Sequence, residues 1–255
     1  MRRLRIMVMF CVPVSVAVLA ACGGNNGGDS AAACDAYVAF SKAFDIDEDV
    51  QAGIASLKDF AAAVPDDVAA DVEPLFPLLE KDAEAALESK EAVAADNVAD
   101  QYALDNCGYT RVDIDAGEWG FIGVASEIEA GRVVFNMVNV TQTGEYHEAI
   151  LLRQNDDVAQ PASEQLADAL PEPISVEATI AALEQFSLVG AGVVEPEPGD
   201  TEDVFVADLV PGRYLLTCLL PEDSSELLEA YFGGETISGK KRHSELGMYR
   251  EFTVT

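Results

Sequence analysis

The sequence predicts an α + β chain in two domains: a small N-terminal helical bundle and a C-terminal antiparallel Greek-key β-sandwich. Three observations carry this. Residues 34–107 are rich in Ala and repeat their apolar positions at helical spacing. Residues 108–255 change to a period of two. Short runs in that second part are separated by Gly, Pro and Asp, which favour turns and short strands with long returns. The chain holds 15 Lys+Arg against 46 Asp+Glu, a net charge of -31 in 255 residues. A surface this acidic repels nucleic acid and anionic lipid head groups, which makes both poor partners and excludes nucleic-acid binding. Almost half of the residues are apolar (49%), enough for most of the chain to fold.

The chain starts with basic Arg2, Arg3 and Arg5, continues with an almost wholly apolar Ile6 to Ala21, and closes on Leu19-Ala20-Ala21-Cys22. That order describes a secretory signal peptide over residues 1–21, and its apolar run of about 16 residues is short of the roughly 20 a spanning helix needs. The Leu-Ala-Ala-Cys end resembles the lipobox of bacterial lipoproteins, which implies cleavage before Cys22, acylation of Cys22 and export to the outer face of a membrane. Residues 22–33, opening with Gly-Gly-Asn-Asn-Gly-Gly after the Cys, then form a flexible tether. Without residues 1–21 the chain loses three Arg and no acid, and its charge becomes -34.

In the helical part, Tyr37, Phe40, Ser41 and Phe44 form one stripe and Ile54, Leu57, Phe60 and Ala61 another. Pro65-Asp66-Asp67 is a break and a helix start, Pro74 and Pro77 interrupt the next stretch, and Leu78 to Gln101 resumes the helical pattern. Three to four short helices are expected. Asp45-Ile46-Asp47-Glu48-Asp49 alternates carboxylates, but Val50 and Ser56 stand where a calcium loop requires Gly and Glu, so a solvated acidic loop is expected. In the second part, strands are expected over 111–115, 133–140, 147–152, 204–209, 214–220 and 248–254. Two short helices are expected over 163–170 and 176–186, and an acidic surface loop over 195–200.

Five cysteines divide by position. Cys11 leaves with the signal peptide and Cys22 is the lipidation site, which leaves Cys34, Cys107 and Cys218 in a compartment that favours disulfides. Cys34 opens the helical part and Cys107 closes it, so a bridge between them would staple that domain. Cys218 is then a buried inert thiol, an intermolecular partner or a metal ligand. The rare residues point to the last of these. Both His of the chain, 147 and 243, fall in the β part with Cys218, and so does Met248. Two imidazoles, a thiolate and a weak thioether are a donor set suited to copper.

The segments carrying these residues show a pattern. Asn139 to Glu148 resembles the strand and loop that deliver the first His of a cupredoxin. Leu209 to Cys218 resembles the cupredoxin strand that ends on the copper thiolate. His243-Ser244-Glu245-Leu246-Gly247-Met248, followed by Phe252 and Val254, resembles the segment with the second His and the Met. The resemblance covers roughly residues 110–255. It implies a cupredoxin-like sandwich with His147, Cys218 and His243 as trigonal copper ligands and Met248 as the axial one. Two departures stand out. Cupredoxins hold Cys, His and Met on one short loop, whereas 24 residues, Leu219 to Arg242, separate Cys218 from His243. Glu148 also stands where plastocyanin-like members often carry Asn.

Lys240-Lys241-Arg242 is the densest basic run and reads either as a solvated turn or as a docking patch for an acidic partner beside the metal edge. His147-Glu148 has no second His at zincin spacing, and no Gly-x-Ser-x-Gly elbow occurs, so no enzyme is expected. The sequence thus predicts an exported, membrane-tethered cupredoxin-like lipoprotein that binds copper for electron transfer or copper handling. The alternative is a metal-free module that binds another envelope protein or a small ligand.

Overall fold

The computed structural model describes residues 29–47, 49–87, 89–195 and 202–255. The signal peptide, Cys22, the start of the tether and the centre of the acidic loop at 195–200 lie outside them. The described residues form two compact units, one ending at Gly108 and the other spanning Tyr109–Thr255. Among the described residues no helix is long and apolar enough to cross a membrane.

The first unit is helical: α1 (Ser30–Asp45), α2 (Val50–Ala63), α3 (Asp66–Val72), α4 (Phe76–Lys81), α5 (Ala83–Leu87) and α6 (Lys90–Asn106). Asp29, Asp49 and Ser89 start α1, α2 and α6 by accepting from the N–H groups of Ala32, Ala52 and Ala92, donors that a helix start otherwise leaves unpaired. Tyr37, Phe40, Leu57, Phe60, Val72 and Tyr102 form the core. Gly53 lets α1 and α2 close up, because a Cβ there would stand 2.3 Å from the Phe44 ring. Cys34 and Cys107 are bonded, joining α1 to the residue after α6.

Two expectations need correction here. The helical region starts at Ser30, inside the stretch read as tether, because Asp29 supplies a cap. The helices among the described residues also number more than three to four. Pro74 lies in a 3₁₀ turn over Glu73–Leu75 and Pro77 in the first turn of α4, positions where a missing N–H leaves no bond unmade, so neither ends the helical path.

The second unit contains β1 (Thr110–Gly117), β2 (Gly120–Ile122), β3 (Glu127–Ile128), β4 (Gly131–Asn139), β5 (His147–Gln154), β6 (Phe186–Val194), β7 (Glu202–Leu209), β8 (Gly212–Thr217) and β9 (Tyr249–Val254). One sheet has the order β2-β1-β4-β7 and the other β3-β9-β8-β5-β6. They meet face to face where Phe205 of the first sheet lies under Gly190 and Gly192 of the second; a Cβ at Gly190 would stand 2.7 Å from that ring. Helices α7 (Ala162–Ala169) and α8 (Val176–Leu183) lie between β5 and β6 in sequence, with α7 against β8 and β9 and α8 against β6. This cover explains why nearly all of β5 is buried, on alternate residues and between them. Helix α9 (Ser224–Phe232) occupies the insert between β8 and β9.

The sheets are mixed, not antiparallel. β1 runs parallel to β4, and β3 parallel to β9. After β1 the chain turns back through β2 and visits the second sheet as β3 before β4 begins, so β4 enters from the same end as β1. Strand β6 is not among the expected strands. Its Phe-Ser-Leu-Val-Gly-Ala-Gly-Val-Val run does not alternate, and its glycines mark the close approach of Phe205 rather than a turn.

Candidate metal centre

His147 opens β5, Cys218 follows β8, and His243 starts a 3₁₀ turn over His243–Leu246 that leads through Gly247 and Met248 into β9. Because β5 pairs antiparallel with β8, and β8 with β9, these three points meet at one end of the second sheet. Ligand atoms of His147, Cys218 and His243 lie within 4.8 Å of one another, and all three residues are 0% exposed.

The long insert does not separate Cys218 from His243, because its two ends pair with each other. The His243 N–H donates to the Leu220 carbonyl (2.9 Å) and the Glu222 N–H to the Lys241 carbonyl (2.8 Å). Pro221 and Arg242 form a bridge between these bonds. The Ser244 N–H then donates to the Cys218 carbonyl (2.8 Å), and the Cys218 N–H to the Met248 carbonyl (3.1 Å). The turn closes with Gly247 at φ 110°, a conformation that favours glycine. Cys218, His243 and Met248 are therefore backbone neighbours despite the residues between them. Met248 is fully buried.

The donor atoms have the character of a ligand set. The Cys218 sulfur stands 3.3 Å from His243 Nδ1 and accepts the Glu148 N–H at 3.4 Å. Both ring nitrogens of His147 and Nε2 of His243 are buried without a hydrogen-bond partner, a costly state for ordinary core histidines. Burial lowers the pKa of each imidazole to about 4, with the neighbouring His243 adding to the shift at His147. Both rings are thus neutral at pH 7, the form that binds a metal. Burial, and next the Glu148 carboxyl, raises the Cys218 thiol well above its ordinary value. The residues fit a single copper-type ion: two neutral imidazoles and one sulfur converge, and three of the four ring nitrogens have no hydrogen-bond partner.

Sequence reasoning singled out Glu148 only as a departure from the cupredoxin pattern and missed Glu145. Glu148 is 3% exposed and accepts the Leu219 N–H (2.8 Å), tying the residue after His147 to the residue after Cys218. Glu145 is 7% exposed and accepts from the N–H groups of Asp223 (2.9 Å) and Ser224 (2.6 Å) and from the Ser224 hydroxyl, so it anchors the start of α9. Trp119, in the turn between β1 and β2, presents its ring edge-to-face to His243 with centroids 5.1 Å apart. Among 46 acids no sequence pattern marks these two as buried. The chain's single Trp was open to notice.

The basic run does not form a three-residue surface patch. Arg242 is 1% exposed, and its guanidinium donates to the Pro171 carbonyl (2.9 Å), because the bridge with Pro221 turns it inward. Lys240 pairs with Asp223, and Lys241 is exposed. Cys34 and Cys107 form the disulfide described above, and Cys218 is free. Cys22 lies outside the described residues.

No protein-family model matches the chain, and no curated protein is similar to it. Solved structures are similar at low identity. The auracyanin from the photosynthetic bacterium Roseiflexus castenholzii, reduced with dithionite, is 17% identical, with 57% of this chain and 97% of that one covered and a TM-score of 0.32. Auracyanin A, a "blue" copper protein from the green thermophilic photosynthetic bacterium Chloroflexus aurantiacus, is 16% identical over 58% of this chain and all of that one (100%), with a TM-score of 0.32. Rusticyanin from Thiobacillus ferrooxidans is 16% identical over 57% and 78%, with a TM-score of 0.28.

Proposed function

We propose that this chain is a cupredoxin-like lipoprotein, its second unit a Greek-key sandwich, in which His147, Cys218, His243 and Met248 would hold one copper ion. It is tethered to the outer face of a bacterial membrane through acylated Cys22. It carries electrons or handles copper for an envelope partner and is not an enzyme. The observation that carries this reading is the convergence of two neutral imidazoles, three of whose four ring nitrogens have no hydrogen-bond partner, and one free thiol at a single buried point.

When bound, copper supplies a one-electron couple. The chain's residues do the rest. The buried thiol gives up its proton on loading, so uptake favours higher pH. The Glu148 N–H, aimed at the sulfur, stabilises negative charge there. Paired insert ends hold His243 opposite Cys218 and exclude water from the ring. Native mass spectrometry of the full chain with Cu(II), followed by voltammetry, tests the reading. One copper per chain and a reversible couple are expected. Uptake unaffected by His147→Ala would contradict the ligand set.

A further inference from the structure

His147, Cys218 and His243 are sealed from solvent, so anything that reaches them needs an opening in the fold. Helix α9 lies against this site at both of its ends. Ser224, at its start, accepts the Tyr146 N–H (2.9 Å) and donates to the Glu145 carboxylate, which fixes the residues leading into His147. Tyr231, near its other end, lies close to Glu148 and Cys218: burial raises its hydroxyl pKa, and both of these groups add to the rise. We propose that residues 223–239 form a hinged strap that gates access to Cys218. The strap lifts off the β5–β6 crossover as a unit, while the paired ends of the insert keep Cys218 and His243 together. The gate rests on the copper reading above for what passes through it, but not for its motion.

Three features support it. First, the strap and the paired ends are fastened separately. Ile237 exchanges backbone bonds with Ile174 (2.8 and 3.0 Å), and the Tyr231 hydroxyl donates to that of Thr179 in α8 (3.2 Å). The bonds that align the ligands, from His243 to Leu220, Ser244 to Cys218 and Cys218 to Met248, all lie outside residues 223–239. Second, α9 is thinly anchored. Of its residues only Ser224, Leu228 and Tyr231 are buried, whereas nearly all of β5 is. A segment with little buried apolar surface opens at a lower free energy than the core. Third, both joints already stand in the left-handed region, Asp223 at φ 58° and Gly239 at φ 73°. A residue other than glycine stores strain there, which a change of backbone angle releases, and hinges are built from such element-terminal positions.

The test follows the metal-free full-length protein by two mass-spectrometric readouts. One is alkylation of the peptide carrying Cys218 by iodoacetamide; the other is hydrogen exchange of α9 and of β4. In the wild type, Cys218 should be alkylated together with the opening of α9 and well ahead of the β4 amides, which open only when the unit unfolds. Tyr231→Phe keeps the ring and removes the bond to Thr179. It should raise α9 exchange and Cys218 alkylation together, by about two- to tenfold. Cys218 alkylated only as fast as β4 exchanges, or at an unchanged rate in Tyr231→Phe, overturns the proposal. The wild-type comparison decides the first point, so it does not depend on the variant folding. Cu(II) uptake should quicken in the variant by the same factor as alkylation. A strap that admits iodoacetamide in a chain that takes up no copper supports the gate and refutes the copper reading. Copper uptake in a chain whose Cys218 is alkylated only with β4 exchange supports that reading and refutes the gate.

Discussion

Glu148→Gln should stabilise the metal-free protein at alkaline pH and leave it almost unchanged in mild acid. Glu148 is buried, and desolvation raises its pKa from 4.5 to about 7 against the opposing pull of the Leu219 N–H. The folded chain thus keeps a proton that the unfolded chain releases above pH 4.5. The stability this contributes is complete below 4.5 and is lost as the pH climbs through 7. A rise from 4.5 to about 7, at 1.36 kcal/mol per pH unit, corresponds to about 3 kcal/mol. Gln has nearly the same volume, keeps an oxygen for the Leu219 N–H and never ionises. His147 and His243 act in the opposite sense, since their lowered pKa values give stability above pH 6.5 that is lost as the pH falls through 4, but they are common to both proteins. Urea unfolding at pH 4.5, 6 and 8, followed by Trp119 fluorescence, measures the difference directly. The account predicts near equality at pH 4.5 and a variant about 3 kcal/mol more stable at pH 8. A difference that stays flat across this range would refute the claim that Glu148 is held protonated by burial.

Three other outcomes are expected from the geometry. Replacing Cys34 and Cys107 by Ala opens a bridge across a separation of 73 residues, and the helical unit should lose about 4 kcal/mol, read as an earlier far-ultraviolet melting transition. Gly190→Ala places a Cβ 2.7 Å from Phe205, a 1% exposed ring stacked on Phe135, and should cost about 1–3 kcal/mol in urea unfolding; no change would show that the sheets do not meet there. Trp119, 5.1 Å from His243, should lose most of its fluorescence when Cu(II) binds, while Trp119→Phe should show no such signal.

The sequence was most legible where a pattern is local. The stripes of Tyr37, Phe40, Leu57 and Phe60 became core, and the alternation at 111–115 and 133–140 became β1 and β4. The candidate ligands were found by rarity: two His and one unassigned Cys are conspicuous in a chain this acidic. What stayed hidden depends on tertiary pairing. The parallel β1–β4 pair is set by an excursion to the other sheet, which no periodicity encodes. The insert looked like an obstacle because linear spacing does not reveal that Leu220 bonds to His243 and Glu222 to Lys241. Arg242 looked exposed because its neighbours are lysines, whereas its burial depends on the bridge to Pro221. Glu145 and Glu148 acquire their roles only from the backbone N–H groups that reach them across the fold.

Titration of the full-length protein with Cu(II), observed in the visible spectrum beside Cys218→Ser, tests the central claim most directly. The account predicts an intense thiolate-to-copper band in the red that saturates at one equivalent and is absent in Cys218→Ser. A wild-type chain that develops no such band while its thiol stays free would contradict it.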